Sequence, residues 1–224
     1  MIIILKYMNL NKIINKNFHK EKLDTIKLFS LIKLENIQNF SKLVKLSLQR
    51  IKKKNKILLY GNGGSAADAQ HIATELTVRF KKNRRALPAV SLSTDTSALT
   101  AIGNDFNFDK IFSRQIEAIG TPGDIAIAIT TSGNSKNLIE AAKIAKQKKI
   151  YTFCFSGNNG GKLKKYTKFP IIIPSKITSQ IQVAEIFLGQ IYCGILEDSI
   201  WIKNEKIRCS NFSWWKRYKN KKNT

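Results

Sequence analysis

"KILLYGNGGSAADAQHIATEL", residues 56–76, carries the reading of the whole chain. A run of consecutive apolar residues gives way to Gly61, Gly63 and Gly64, and then to a stretch of helix-forming alanines. Unbroken hydrophobicity, as opposed to alternation, marks a strand buried on both faces. A glycine-rich turn from such a strand into a helix brings backbone N–H groups to one point, where they can hold an anion; Ser65 is placed to cap the helix. No Lys-Ser/Thr follows, so this is not the phosphate loop of nucleotide hydrolases, and the spacing is not GxGxxG. His71 and Glu75 follow at i and i+4 and share a helix face. A surface ion pair, a pair of metal ligands and a general base all fit that spacing.

The same rhythm repeats outward. "PAVSL" (88–92), "DIAIAI" (124–129), "YTFCF" (151–155) and "PIII" (170–173) are further apolar runs separated by helical stretches. Five such strands with intervening helices predict an α/β fold with a doubly wound parallel sheet. Apolar residues from Leu28 to Ile51 recur every three or four positions, predicting one or two amphipathic helices over 24–54, and a last helix is predicted over 179–200. The expected organisation is a basic extension over 1–23, one domain over 24–200 and a basic, aromatic, loosely ordered tail over 201–224. After "DIAIAI" comes "TTSGNS", which puts the hydroxyls of Thr130, Thr131, Ser132 and Ser135 at the carboxyl end of a second strand. Two polar turns at strand ends face one crevice, the place where such sheets bind ligands. Hydroxyls and amides without cations suit a phosphate ester. "TAIGNDFNF" (100–108) is expected to add Asn104 and Asp105 from a loop.

The net charge of +24 is unevenly spread: 14 Lys/Arg against 3 acids lie in residues 1–56, 8 against 1 in residues 201–224, and 17 against 11 between them. With 32 lysines and only 7 arginines in an Asn- and Ile-rich chain, solvated lysine surfaces explain most of it. Nucleic acid is therefore not the expected partner, although the tail "FSWWKRYKNKK" interleaves aromatics with cations as single-strand binders do. Three scattered cysteines form neither a disulfide framework nor a CxxC site, which fits a reducing cytoplasm. The opening "MIIILKYMNL" is too short an apolar run for a secretory core or a membrane span.

Together, "GNGGSAADAQHIATELTVRF", "LSTDTSALTAIGNDFNFDKIFSRQIEAIGTPGD" and "TTSGNSKNLIEA" closely resemble the sugar isomerase (SIS) fold and, within it, the phosphoheptose isomerases. These convert sedoheptulose 7-phosphate to D-glycero-D-manno-heptose 7-phosphate for lipopolysaccharide cores. The resemblance covers about residues 24–198. It implies a SIS domain with a flavodoxin-like five-stranded parallel sheet flanked by helices, and a homotetramer with active sites between subunits. By the same resemblance Asn62, Gly63, Gly64, Ser65, Asn104, Asp105, Thr130, Thr131, Ser132, Ser135 and Gln182 contact the sugar phosphate. His71, Glu75 and Gln182 hold zinc, with Glu75 doubling as catalytic base.

The last helix departs from the family pattern. Where the family reads Arg-Ile-Gln-Glu, this chain has Gln180, Ile181, Gln182 and Val183, and Gln190 stands where the family has a histidine that is both metal ligand and acid/base. The only histidines are His19 and His71. An amide exchanges no proton at neutral pH and ligates zinc poorly beside imidazole, so zinc affinity is expected to fall. At about 100° per residue, Glu185 points roughly 140° away from Gln190 and is not expected to replace it. The alternative to the isomerase is a non-catalytic SIS-fold sugar-phosphate binder, such as the relative that binds the bacterial replication initiator; retention of Glu75 favours the isomerase.

Overall fold

The computed structural model describes residues 2–33 and 38–211, with side chains for 9–33 and 38–200. Two helices lead in, α1 (Ile2–Leu31) and α2 (Gln38–Lys52). Then follow β1 (Ile57–Gly61), α3 (Gly64–Thr77), β2 (Ala89–Ser91), α4 (Thr96–Asp105), α5 (Ser113–Ile119), β3 (Ile125–Thr130), α6 (Lys136–Gln147), β4 (Tyr151–Ser156), β5 (Phe169–Ile172) and α7 (Thr178–Asn211). All five expected strands are present. They form one parallel sheet in the order β2-β1-β3-β4-β5.

The period of two along each strand sorts the core into two layers. Ile57, Leu59, Ile125, Ile127, Ile129, Phe153 and Phe155 face α2, α3 and α7 and join Leu43, Ile72, Leu76, Ile181 and Leu196 in one cluster. Leu58, Tyr60, Ala126, Ala128 and Cys154 face the other way, against Ile116 and Phe112 beside α5 and Leu138, Ala141 and Ala145 of α6. The small Ala126 and Ala128 leave room for the Tyr60 and Phe112 rings, whose centroids are 5.5 Å apart. Each such aliphatic side chain contributes about 1.5–3 kcal/mol by leaving water.

Three features differ from expectation. Helix α1 runs without a break through residue 23, the predicted end of the basic extension, because a pattern of Lys and Asn among aliphatics is compatible with an exposed helix. Asn104 and Asp105 are the last residues of α4 and not part of a loop; Asp95 Oδ1 caps that helix on the Ala98 N–H at 2.9 Å. Helix α7 continues eleven residues past Ile200, to Asn211. The aromatic tail from Phe212 onward lies outside the described residues, as do Leu34 and Ile37 of the first periodic stretch.

Candidate active site

Strand order puts the two polar turns at the switch point of the sheet. From β1 the chain crosses to β2 at one edge and then returns to β3 on the other side of β1, so the helices following β1 and β3 diverge at their strand ends. The loops leaving β1 and β3 are "GNGG" and "TTSGNS". Gly63 has φ +55° at the N-cap of α3, a left-handed conformation that L residues rarely adopt. Gly61 is packed so tightly that a Cβ would lie 2.6 Å from the Ser65 carbonyl and 2.8 Å from that of Ile129, so β1 and β3 close on each other here.

A reciprocal amide pair ties the two loops together. Asn62 Nδ2 donates to Asn137 Oδ1 at 3.0 Å, and Asn137 Nδ2 donates back to Asn62 Oδ1 at 2.9 Å. Asn137, in the first turn of α6, is a site-building residue that sequence reasoning missed; an Asn just after a hydroxyl-rich turn was its only signal. In the second loop Thr130 Oγ1 accepts the Gly133 N–H at 3.2 Å and Ser132 Oγ accepts the Asn134 N–H at 3.2 Å. Gly133, at φ +67°, lies against Gly160, where a Cβ would come within 2.2 Å of the carbonyl oxygen. Ser135 is the N-cap of α6 but makes no side-chain capping bond.

Ser65 departs from its expected role. The N-cap of α3 is Gly63 and has no side-chain bond; Ser65 lies two residues further in, is buried, and donates its Oγ–H to Glu185 Oε2 at 3.2 Å. Helix α7 reaches the loops at further points. Gln182 lies so close to Gly64 that a Cβ there would be 2.3 Å from its amide nitrogen, and Ile181 fills the space a side chain at Gly157 would need. Asn104 and Asp105 are exposed and bond to each other, Asn104 Nδ2 donating to Asp105 Oδ1 at 2.9 Å.

The remaining candidates converge further along α3. His71 Nε2 is 3.0 Å from Glu75 Oε1 and 2.9 Å from Gln190 Nε2. One ring nitrogen thus faces both a carboxylate and the amide that replaces the family histidine; which atom carries the proton depends on the His tautomer and the Gln amide orientation. The His71 and Glu75 side chains are 49% and 22% exposed. Arg84 fixes the end of the helix that carries Glu75, donating to the Glu75 carbonyl at 2.6 Å and to that of Leu76 at 2.8 Å. Its Nε lies 3.2 Å from Glu197 Oε2, near enough for an ion pair but not aligned for a hydrogen bond. Burial alone would raise the Glu197 pKa, but backbone N–H groups of Phe80, Lys81 and Lys82 bond its carboxylate and lower it.

This donor set is a weak one for zinc. Of His71, Glu75, Gln182 and Gln190, two are neutral amides, and among the described residues no three His, Cys, Asp or Glu side chains gather as a metal cluster. Gln190 and Glu75 both engage the ring nitrogen that a metal would take.

A family model described as SIS domain matches residues 24–157. The phosphoheptose isomerase of Aquifex aeolicus is 54% identical over 150 residues, covering 67% of this chain and 78% of the relative. That of Clostridium acetobutylicum is 47% identical over 171 residues, covering 76% and 86%. The chain belongs to the phosphoheptose isomerases of the SIS-domain family. Among solved structures, the phosphoheptose isomerase of Neisseria gonorrhoeae superposes with a TM-score of 0.78 at 37% identity, covering 83% of this chain and 99% of that one. The Francisella tularensis enzyme superposes with a TM-score of 0.76 at 28% identity, covering 85% and 98%. The non-catalytic alternative loses its support, since the relatives carry the isomerase name over most of the chain and Glu75 stands at the site.

Proposed function

We infer that the protein is an aldose-ketose isomerase converting sedoheptulose 7-phosphate to D-glycero-D-manno-heptose 7-phosphate, the sugar used for lipopolysaccharide core heptose. The observation that carries this reading is that Glu75, its carbonyl held by Arg84, lies on α3, the helix that starts in the first of two amide- and hydroxyl-lined loops at the switch point of the sheet. The loops, with the α3 and α6 N-termini, suit the phosphate, since backbone N–H groups and hydroxyls bind a dianion without cations. Asn62, Gly63, Gly64, Thr131, Ser132 and Ser135 are the contacts this reading uses, with Gln182 beside them.

The reaction moves a proton between adjacent carbons through an enediol. Glu75 takes the proton from carbon and returns it to the neighbouring one. Gln190 donates a hydrogen bond to the developing oxyanion but moves no proton, leaving exchange at the two oxygens to His71 and solvent. Zinc, which the family resemblance implies, binds only weakly in this reading, because two of its four donors are amides.

The site is completed by other copies of the chain in a homotetramer. Val183, Phe187, Ile191 and Ile195 form an exposed apolar stripe along α7, 36–44% exposed, on the turns that flank Gln190. A cytoplasmic setting agrees with Cys154 and Cys193, both buried and unpaired.

Product formation from sedoheptulose 7-phosphate by purified protein, followed by NMR, tests the assignment. Turnover lower by about 10²–10⁴-fold in Glu75→Gln is expected. No turnover by folded wild type, with no rescue in Gln190→His, would overturn it.

A further inference from the structure

Beneath the two loops lies a carboxyl group that the chemistry above does not use. Glu185 is fully buried, on the inner face of α7, and only one of its oxygens has a hydrogen-bonding side chain, Ser65. Its Oε1 has no partner, and the backbone amide of Thr130 faces the same carboxyl. Ser65 belongs to the first turn of α3 and Thr130 ends β3, so one side chain from a third element bonds to one half of the sugar-phosphate crevice and lies beside the other. We propose that Glu185 is a positioning residue for phosphate binding, which joins the β1 loop to the β3 loop and sets their separation.

The inference rests on the isomerase reading for the identity of the ligand. The form in which Glu185 acts follows from its surroundings. Burial, and then the nearby Asp68, push its carboxyl up to about 8. Asp68 is itself pushed up to about 6 by burial, against the influence of His71. The other titratable group its charge reaches is Cys154 of β4, on the far face of the sheet, pushed up to about 11 by burial and so neutral throughout the range concerned. At pH 7 Glu185 is therefore neutral, and a neutral carboxyl behind a phosphate crevice both donates and accepts without repelling the ligand. Above pH 8 it becomes an anion facing a dianion, with no cation beside it among the described residues. The phosphate monoester does not confuse the readout, since its second ionisation lies near pH 6.

Binding of sedoheptulose 7-phosphate by calorimetry, separate from turnover, tests this between pH 7 and pH 9. Wild-type affinity is expected to fall about tenfold between those limits, following ionisation of one group near pH 8. Glu185→Ala is expected to weaken binding at pH 7, and Glu185→Gln, the neutral isostere, to restore it and make it independent of pH. In Asp68→Asn the alkaline fall is expected to begin at lower pH, because the charge that holds the proton on Glu185 is gone. A wild-type affinity flat across this range, or the same alkaline fall in Glu185→Gln, would overturn the proposal. So would unchanged binding in Glu185→Ala. If Glu185→Ala does not fold, the comparison of wild type with Glu185→Gln decides alone. Because the readout is affinity, failure here differs from failure of the isomerase assignment, which is read from turnover.

Discussion

At the scale of single residues, the proposed chemistry depends on Glu75 and on Gln190 standing where the family resemblance expects an imidazole. Glu75→Gln removes the base while keeping size and hydrogen-bonding capacity, so turnover should drop by about 10²–10⁴-fold with affinity for the sugar phosphate nearly unchanged, as general-base losses do. Steady-state kinetics beside calorimetry separates the two effects. Gln190→His supplies the missing imidazole 2.9 Å from His71 Nε2, and two changes should appear together: faster turnover and zinc retained through dialysis. Metal analysis of wild type should find well under one zinc per chain; one per chain would show that the amides ligate better than their chemistry allows. His71, Glu75 and Gln190 were all legible as candidates from spacing and family pattern. Asn137 and Glu185 were not, because their partners, Asn62 and Ser65, lie 75 and 120 positions away and nothing local announces either bond.

Among the elements, α3 and α7 are held together by buried polar contacts. Glu197 accepts three backbone N–H bonds from the turn after α3 and lies beside Arg84, which in turn grips the carbonyls of Glu75 and Leu76. Both side chains are almost fully buried, at 0% and 2% exposure. Glu197→Ala leaves a buried guanidinium without its counter-charge and should cost about 3–5 kcal/mol, read as a lower midpoint in urea. Turnover should suffer too, since the end of the helix that carries Glu75 is released. Glu185 gives a pH-dependent counterpart. Its folded pKa, about 8, lies above the ordinary value of 4.5, so the native state binds the proton more tightly than the unfolded chain does. Stability relative to Glu185→Gln is therefore fully present below about pH 4.5 and is lost as pH rises through 8. The melting temperature of Glu185→Gln should exceed that of wild type at pH 9, and the two should converge at pH 5.

For the whole molecule, an exposed stripe of Val183, Phe187, Ile191 and Ile195 on a helix beside the site calls for a covering surface, which in the proposed assembly is a second copy of the chain. Placing charge there, as in Phe187→Glu with Ile191→Glu, should give monomers or dimers by light scattering, with catalysis reduced in step. A wild-type monomer would remove the assembly reading. Five strands, their parallel arrangement and the two polar loops at the ends of β1 and β3 were readable in advance. Unbroken apolar runs such as "DIAIAI" can satisfy their side chains only between two helical layers, and glycines at strand ends have few other uses. The chain alone also carried the loss of the histidine at position 190, since that is a matter of identity and needs no coordinates. Local pattern did not reach the ends of α1, α4 and α7, the inward turn of Ser65, or the carboxyl beneath the crevice. Helix ends and side-chain directions depend on what packs against them, and here those partners are far away in the chain: α7 meets the β1 loop only because the sheet brings residues 61–65 and 181–185 to the same edge. Periodicity along a segment encodes which face is buried, whereas which residue lies opposite is settled only when the layers close.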